Sequence, residues 1–580
     1  MKKHYGSETA ERLRNRLKIL YGGEAGRCFS RLLMLIGRYG LLAERSGSKA
    51  LWSEKDALLI AYPDMVSAPK SAPLRELKKF ADENLRQAFS AIHLLPFFPY
   101  SSDDGFSVIH YRQVNPGSGT WDDIRAIGEN FQLMFDLVLN HVSRQSGWFD
   151  DFINGIAPGR SYFIDLPADA DVSAVVRPRT SPLLSPVKTQ SGDRHVWTTF
   201  SDDQIDFNYA NPDVLFEMLD ILLFYVSMGA RIIRLDAIAY LWKKPGTPCI
   251  HLPETHEVVK IFRDVLRLMS PGTLLLTETN VPHDENIQYF GEGDEAHMVY
   301  QFALPPLILH AFVSGKADYL SKWASELAPP PKGCAFLNFT ASHDGVGVRP
   351  LEGLVPPGEL TRLLEHVEKR GGRISRRKAG DGTEQPYELN VTWFDAMGGA
   401  RNEPADLHIR RFLCSQAIPL ALRGIPAVYF HSLTGAANDL KEIKKTGHNR
   451  SINRGKWRAD DLNRQVKDPS GVAGRVFPQY CAMLAARRQH SAFHPDAEQR
   501  ILNLDSRLFV VWRKNSQTGE QVLALHNVSD SEVRLSSQAL QEILPAKKNC
   551  ADLLSGGSYS PGQQAEMTLK PFQAAWFCWK

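Results

Sequence analysis

The chain has 580 residues, more than one hydrophobic core usually supports, which predicts a large main domain with smaller additions. Its composition, 43% apolar and 23% charged, is that of a globular protein and excludes a disordered or fibrous chain. With 68 basic against 65 acidic residues, the net charge of +3 is too small to indicate nucleic acid or a membrane surface as the main partner.

The N-terminal residues are polar and lack the apolar core of a signal peptide, and no apolar run is long enough to cross a bilayer, so we expect a cytoplasmic protein. The seven cysteines are scattered without a Cys-x-x-Cys pair, which predicts reduced thiols and neither a disulfide framework nor a zinc site. Residues 1–50 carry leucines at helical spacing and predict an N-terminal helical extension outside the main domain, without chemistry of its own.

From Ala57 onward, short apolar segments alternate with helical ones. Eight such segments separated by helices predict an α/β protein built on a (β/α)₈ TIM barrel. Catalytic residues of this architecture lie just past the carboxyl ends of the strands. The predicted strands are residues 57–62, 91–95, 133–139, 231–235, 273–277, 298–302, 336–339 and 427–430.

The fourth predicted strand delivers a carboxylate, Asp236, at its carboxyl end. Residues 214–228 have helical spacing and end at Gly229, which predicts the order helix, tight turn, strand. Because side chains alternate along a strand, Arg234 and Asp236 point to the same side, and we expect the guanidinium to hold the pKa of Asp236 down. In isolation, such a pair is more often a buried structural ion pair.

The third, fifth and seventh predicted strands also end in reactive side chains: His141, Glu278, and His343 with Asp344. Three carboxylates and two histidines at one barrel face suit glycosidic-bond chemistry, which needs an ionised nucleophile, an acid with a raised pKa and hydrogen bonds to sugar hydroxyls. Metal binding is the competing interpretation, and the absence of His-x-x-x-His or comparable spacing argues against it.

Four motifs resemble the signature regions of the α-amylase superfamily in order and spacing: Asp136…Asn140-His141, Arg234-Leu-Asp236-Ala237, Glu278, and His343-Asp344. The resemblance spans residues 51–580. It implies that Asp236 is the nucleophile, Glu278 the general acid/base and Asp344 the transition-state stabiliser. It also implies a substrate-binding set in which Tyr111 stacks on the donor glucose. That set is Asp64, Tyr111, His141, Phe200, Gln204, Arg234, Tyr240, His343, Glu388 and Arg450.

Further motifs are similar to the sucrose phosphorylase branch, and among its members most similar to the glucosylglycerate phosphorylases. These motifs are Arg177-Pro-Arg179-Thr-Ser-Pro-Leu-Leu184, Thr277-Glu278-Thr-Asn280-Val-Pro-His283 and Tyr387-Glu388-Leu-Asn390. The resemblance implies a retaining phosphorylase that transfers glucose from 2-O-α-D-glucosylglycerate, or a related small α-glucoside, to inorganic phosphate. Phosphate is then a co-substrate, and no metal or organic cofactor is required.

Several alternatives stay open. Inside the enzyme class they are phosphorolysis of glucosylglycerol, sucrose or sucrose 6-phosphate, and hydrolysis of α-glucosides. Outside it, an amylase-like scaffold subunit predicts lost carboxylates and a membrane anchor, and the sequence shows neither. The oligomeric state is also open, with a homodimer as one option.

A phosphorylase must favour phosphate over water, which requires fixed positive charge and hydrogen-bond donors. Arg179 is the main candidate because a guanidinium binds two phosphate oxygens, and Tyr387 and Asn280 are grouped with it. A loop arginine that caps a carbonyl is the competing interpretation. Asn280 and Glu388 stand where sucrose-specific relatives have His and Gln, which argues against sucrose. Glu388 disfavours an anionic acceptor unless a cation screens it, so a neutral acceptor such as glycerol stays open.

The predicted domains follow from these motifs. The barrel covers residues 51–141 and 204–492, and residues 142–203 form an inserted domain B after strand three. A second insertion, residues 349–397, follows strand seven, and its stretches 369–373 and 378–382 predict a mobile polar loop. The alternating pattern of residues 493–580 predicts a C-terminal antiparallel β-domain. The basic residues between 441 and 454 either concentrate phosphate or form a solvated face.

Overall fold

Eight parallel strands close into a barrel in which each strand pairs with its neighbours in the chain and β8 pairs with β1. The computed structural model describes residues 2–40, 50–378, 383–400, 402–536, 538, 540, 543–544, 549–560, 564 and 566–580. All eight strands lie on the predicted segments, so the predicted α/β barrel is confirmed. They are β1 (Leu58–Ala61), β2 (Ala91–Leu94), β3 (Gln132–Val138), β4 (Ala230–Asp236), β5 (Leu274–Thr277), β6 (Met298–Tyr300), β7 (Ala335–Asn338) and β8 (Ile425–Tyr429).

Helices surround the barrel, and several begin with proline in the first turn, where a missing N–H costs nothing. The connection after β5 is different, because it holds only a four-residue helix, His283–Asn286, and a 3₁₀ turn, Ile287–Phe290. The longer helices are Pro73–Asn84, Trp121–Gly128, Pro212–Ser227, Pro253–Met269, Leu304–Ser314, Asp318–Glu326, Ala405–Ala421, Ala459–Lys467 and Val472–Arg487.

The N-terminal extension forms two helices, Lys2–Tyr21 and Ala25–Arg38, that pack on the barrel wall. Arg16 bonds Asp264 (3.1 Å) in the helix before β5 and Asp294 (3.0 Å) in the segment before β6. The extension thus ties the helix before β5 to the end of the short connection between β5 and β6.

Both insertions carry small sheets at the carboxyl end of the barrel. The first contains the helix Gly147–Ile153, the strands Asp165–Leu166, Leu184–Thr189 and Gly192–Trp197, and the pair His141–Ser143 with Gln204–Asp206. The second contains the helix Pro357–Lys369 and the strands Arg373–Lys378 and Glu384–Asn390, and the strand Val346–Gly347, just before the insertion, joins their sheet.

One expectation for the second insertion is wrong. Arg373 and Lys378 were expected in a polar loop, but they begin and end a strand, because residues 373–378 pair antiparallel with Glu384–Asn390. Residues 379–382 lie outside the described residues. The hairpin carries Tyr387 and Glu388 to the barrel mouth, where Val346–Gly347 adds a third strand.

The C-terminal region is antiparallel, as predicted. A six-stranded sheet and a two-stranded one make up this region. Trp579 is buried in its own core and Trp576 in the core shared with the barrel, so both rings serve packing. The six strands, in spatial order, are Glu498–Ile501, Leu508–Lys514, Gln521–Asn527, Ala574–Trp579, Cys550–Asp552 and Ser558–Tyr559. The two-stranded sheet pairs Val533–Ser536 with Glu566–Leu569. None of the helices in the described part of the chain combines the length and apolar character of a membrane span.

Candidate active site

Arg234 organises the carboxylates at the ends of β3 and β4. Its Nη1 donates to Asp136 Oδ1 (2.5 Å) and to Asp236 Oδ1 (2.7 Å). Arg234 lies opposite Asp136 in the parallel register, and Asp136 Oδ2 lies 2.7 Å from His93 Nε2. All four side chains are buried, so the guanidinium is held in one orientation and fixes Asp236.

Glu278, just past β5, lies beside the same guanidinium. Its Oε2 accepts a hydrogen bond from the Ala237 backbone N–H (2.9 Å) and is 3.9 Å from Arg234 Nη2. Ala237 has a φ of +51°, which turns the chain sharply after Asp236. Asp236 and Glu278 therefore both contact one guanidinium, as expected for the close carboxyl pair of a retaining glycosidase-type site.

The pKa values of these two carboxyl groups are raised. Burial raises the pKa of Asp236 to about 6, although Arg234 opposes the shift. The expectation that Arg234 holds this pKa down is therefore wrong in its net sign, because burial outweighs the ion pair. Burial raises the pKa of Glu278 to about 7, with Arg234 lowering it and Asp236 raising it. At pH 7 Asp236 is mostly ionised and Glu278 can still carry a proton, which suits a nucleophile and an acid/base.

Asp344, after β7, is held by arginines. Burial alone would raise its pKa, but Arg450 and Arg454 lower it below its usual value. Arg450 Nη1 lies 2.5 Å from Asp344 Oδ1, and Arg454 Nη2 lies 3.6 Å from the same oxygen. Asp344 is thus kept as an anion across the neutral range, which a stabiliser of positive charge requires.

Glu388 and Arg450 were expected to bind substrate, but the structure pairs them with each other. Arg450 donates to Glu388 through Nε (3.0 Å) and Nη2 (2.7 Å), and the Gly345 N–H donates to Glu388 Oε1 (3.0 Å). Most of their hydrogen-bonding atoms are used in this pair and in the contact of Arg450 with Asp344, so both residues help to position Asp344. The same pairing supplies the cation that an anionic acceptor needs beside Glu388.

A group from the loop after β2 was missed by the sequence-based prediction. The Phe106 ring stacks on His343 at 4.7 Å between centroids and 4° between planes. Arg454 donates to the His343 carbonyl (2.9 Å) and to Asp103 (3.2 Å) and Asp104 (2.8 Å). The sequence did carry a signal for this group, because Asp103, Asp104 and Phe106 follow β2 shortly after its carboxyl end, where catalytic residues of a barrel lie.

Neither Tyr111 nor Asp64 lines the cavity that contains Glu278 and Asp344. Tyr111 is 2% exposed, and its hydroxyl donates to the carbonyls of Val138 (2.8 Å) and His141 (2.9 Å), so it supports the backbone and cannot stack on a sugar. Asp64 pairs with Lys456 (2.6 Å) and lines a neighbouring cavity.

Four predicted substrate-binding residues form a connected wall. His141 is buried and its Nε2 lies 3.1 Å from Gln204 Nε2. The Phe200 ring lies 5.3 Å from His141 and 5.5 Å from Tyr240, measured between centroids. The first insertion supplies Phe200, so this wall joins the insertion to the ends of β3 and β4.

The predicted phosphate-binding residues lie at the outer side of this wall. The Arg179 guanidinium is 5.7 Å from the Phe200 ring centroid and 5.6 Å from that of Tyr387. Among the described residues its one hydrogen-bond partner is the Pro178 carbonyl (3.3 Å), so most of its donors remain available. Its charge is also among those that lower the pKa of Asp344, which indicates that Arg179 lies near this carboxylate.

Asn280 lines the same cavity as Arg234, Glu278, His343 and Asp344, and its Oδ1 is buried without a partner among the described residues. Asp236 is buried beside this cavity, bonded to Arg234. The basic residues between 441 and 454 fall into two groups. Arg450 and Arg454 belong to the active site. Lys441, Lys444, Lys445 and His448 are exposed and form a solvated face.

Comparison with known proteins agrees with this geometry. The model of the α-amylase catalytic domain matches residues 86–328, which gives the class of the barrel. A glucosylglycerate phosphorylase of Spirochaeta thermophila is 44% identical over 580 residues, 98% of each chain. One of Escherichia coli K12 is 42% identical over 91% of this chain and 92% of its own. The chain therefore belongs to the α-amylase superfamily, in the family that contains the glucosylglycerate phosphorylases.

A solved structure with a lower sequence identity to this chain has the same fold. The sucrose 6F-phosphate phosphorylase of Thermoanaerobacter thermosaccharolyticum superimposes with a TM-score of 0.72 at 26% identity, over 83% of this chain and 94% of that one.

Proposed function

We propose that the protein is a retaining phosphorylase that converts 2-O-α-D-glucosylglycerate and inorganic phosphate into α-D-glucose 1-phosphate and glycerate. The observation that carries the proposal is the pair Asp236 and Glu278, which share the Arg234 guanidinium and have pKa values of about 6 and 7. The choice of glucosylglycerate as substrate is supported by relatives of that name that match nearly the full length.

The proposed reaction proceeds by two displacements. In the first, an Asp236 oxygen attacks the anomeric carbon while Glu278 gives its proton to the departing glycerate oxygen, which leaves a β-glucosyl ester on Asp236. Asp344, fixed by Arg450, stabilises the positive charge that develops on the sugar ring. In the second, Glu278 takes the proton of the attacking phosphate, whose oxygen displaces Asp236 and restores the α-configuration.

Arg179 is proposed to hold phosphate during the second step. Its guanidinium lies against two aromatic rings, retains free donors and lowers the pKa of Asp344 by its charge. A bidentate arginine at this place would favour phosphate over water. Tyr387 and Asn280 would complete the acceptor side, where Arg450 offsets the negative charge of Glu388.

The donor is tested by measuring phosphate-dependent release of glucose 1-phosphate from four compounds at equal concentration: glucosylglycerate, glucosylglycerol, sucrose and sucrose 6-phosphate. We expect glucosylglycerate to have the highest kcat/KM by at least about tenfold, because loss of one charged contact costs about 1.4 kcal/mol or more. A higher value for any of the other three, or glucose release without phosphate dependence, would replace this proposal.

The pH dependence of kcat/KM should be bell-shaped with its maximum between about pH 6 and pH 7. Below the pKa of Asp236, about 6, the nucleophile is protonated; above the pKa of Glu278, about 7, the acid has lost its proton. Initial rates measured at subsaturating glucosylglycerate between about pH 4.5 and about pH 9 define both limbs of the pH profile. A profile that stays flat from pH 5 to 8 would contradict the assignment of these two groups.

Glu388→Gln should lower the KM for phosphate by about threefold or more. The substitution removes one negative charge from the acceptor side and leaves Arg450 balanced by Asp344 alone, so an incoming anion meets less repulsion. Glu384→Gln, at the exposed start of the same strand, is the matched control and should leave this KM unchanged. A higher KM in Glu388→Gln would show that Glu388 contacts phosphate or glycerate directly.

We also propose a cytoplasmic location and a reaction without a metal or organic cofactor, supported by the scattered cysteines and by the resemblance to phosphorylases.

A further inference from the structure

A cluster of three potential metal ligands lies away from the catalytic cavity, between the barrel and the C-terminal domain. It consists of His490, Glu520 and Cys578, which are 30 and 58 positions apart along the chain. His490 follows the last barrel helix, Glu520 immediately precedes the strand Gln521–Asn527, and Cys578 lies in the strand Ala574–Trp579. Because Cys578 is opposite Val522 in the antiparallel register, Glu520 and Cys578 are diagonal neighbours on one face of the sheet.

The distances between the three ligand atoms match a tetrahedron around zinc. His490 Nδ1 is 3.0 Å from Glu520 Oε1 and 3.6 Å from Cys578 Sγ, and Sγ is 3.8 Å from Oε1. A tetrahedral Zn²⁺ with bonds of about 2.3 Å to sulfur and about 2.1 Å to nitrogen and oxygen places N and O about 3.4 Å apart, and S about 3.6 Å from each. All three edges lie within a few tenths of an ångström of these values.

Neighbouring hydrogen-bond donors orient the Glu520 carboxylate, as outer-shell groups orient the ligands of metal sites. Glu520 Oε2 accepts hydrogen bonds from Ser491 Oγ (2.8 Å) and from the Ala492 N–H (3.0 Å), so Oε1 is the oxygen that faces the other two ligands. Glu520 is buried, whereas His490 and Cys578 are half-buried, so solvent can supply a fourth ligand. A set of nitrogen, oxygen and sulfur donors is typical of a zinc site. It argues against Mg²⁺ and Ca²⁺, which prefer oxygen ligands.

We propose that His490, Glu520 and Cys578 bind one Zn²⁺, with water in the fourth position, and that this ion links the end of the last barrel helix to two strands of the C-terminal sheet. The site is independent of the proposed reaction. Cysteine spacing along the sequence could not indicate it, because the ligands come from three distant segments and include one cysteine only.

The test uses the full-length protein and Zn²⁺ alone as the probe. After equilibrium dialysis, the wild type should hold one more zinc per chain than Cys578→Ser, and the affinity of that site should fall at least about tenfold in the variant, since loss of an outer-shell group alone costs about 10–100-fold. His490→Gln should behave in the same way. Cys481→Ser, which removes a partly exposed cysteine in the last barrel helix, is the control and should bind zinc as the wild type does.

Substitution with Co²⁺ gives a second readout, and its wild-type result does not depend on whether a variant folds. The wild type should show the near-ultraviolet charge-transfer band of a cobalt–thiolate bond, and Cys578→Ser should lack it. Equal zinc binding in the wild type and Cys578→Ser, or a wild type without the thiolate band, would overturn the proposal and leave a hydrogen-bonded Cys–His–Glu group.

Discussion

Asp236→Asn should lower kcat for phosphorolysis of glucosylglycerate by at least about 10⁴-fold, because an amide cannot form the glucosyl ester on which both half-reactions depend. The amide can still accept a hydrogen bond from Arg234, so the fold should be retained and the thermal midpoint should stay near that of the wild type. Asp122→Asn, an exposed aspartate after β2, is the matched control and should keep wild-type activity.

A smaller side chain at the same position gives a positive test. In Asp236→Ala, azide can enter the space of the missing carboxylate and attack from the face that Asp236 uses. With α-D-glucosyl fluoride as donor, azide should restore turnover and yield β-D-glucosyl azide, a product of single displacement. Turnover of Asp236→Asn within tenfold of the wild type, or an α-configured azide product, would rule out Asp236 as the nucleophile.

Arg179→Ala should separate phosphorolysis from hydrolysis. Loss of the guanidinium removes the main cation for the attacking phosphate, so the rate of glucose 1-phosphate formation at subsaturating phosphate should fall about 100-fold, which corresponds to about 2.7 kcal/mol. Water does not need this cation, so the ratio of free glucose to glucose 1-phosphate should rise by a similar factor. Both products are measured in one reaction by coupled assays.

The control is Arg160→Ala, which removes an exposed arginine from the same insertion. It should leave both rates unchanged. If Arg179→Ala raises KM for glucosylglycerate but leaves the product ratio at the wild-type value, then Arg179 binds the acceptor sugar acid and another group must hold phosphate.

The barrel could be predicted because each strand is a short apolar segment buried on both faces. Asp236, Glu278 and Asp344 could be placed at one end of the barrel because each follows closely after a predicted strand. The alternation of side chains along β4 also predicted the contact between Arg234 and Asp236, which lies at 2.7 Å. These features depend on local sequence, which is why they could be predicted without a structure.

Features that depend on contacts between distant segments could not be predicted. The direction of the net pKa shift of Asp236 depends on how deeply the side chain is buried in the barrel, which the sequence does not give. The pairing of Glu388 with Arg450 joins positions 62 apart, and that of Arg454 with Asp104 joins positions 350 apart. Tyr111 was expected to face the sugar on the basis of resemblance, but its hydroxyl is fixed to two backbone carbonyls.

The most direct test of the double displacement is the anomeric configuration of the first product. Wild-type enzyme, glucosylglycerate and phosphate are mixed, and the anomeric protons are followed by NMR from the first turnovers, before any mutarotation of free sugars can matter. Covalent catalysis through Asp236 with Glu278 as acid/base predicts α-D-glucose 1-phosphate as the initial product. β-D-glucose 1-phosphate would mean direct attack by phosphate on the donor and would contradict the roles assigned to these two carboxylates.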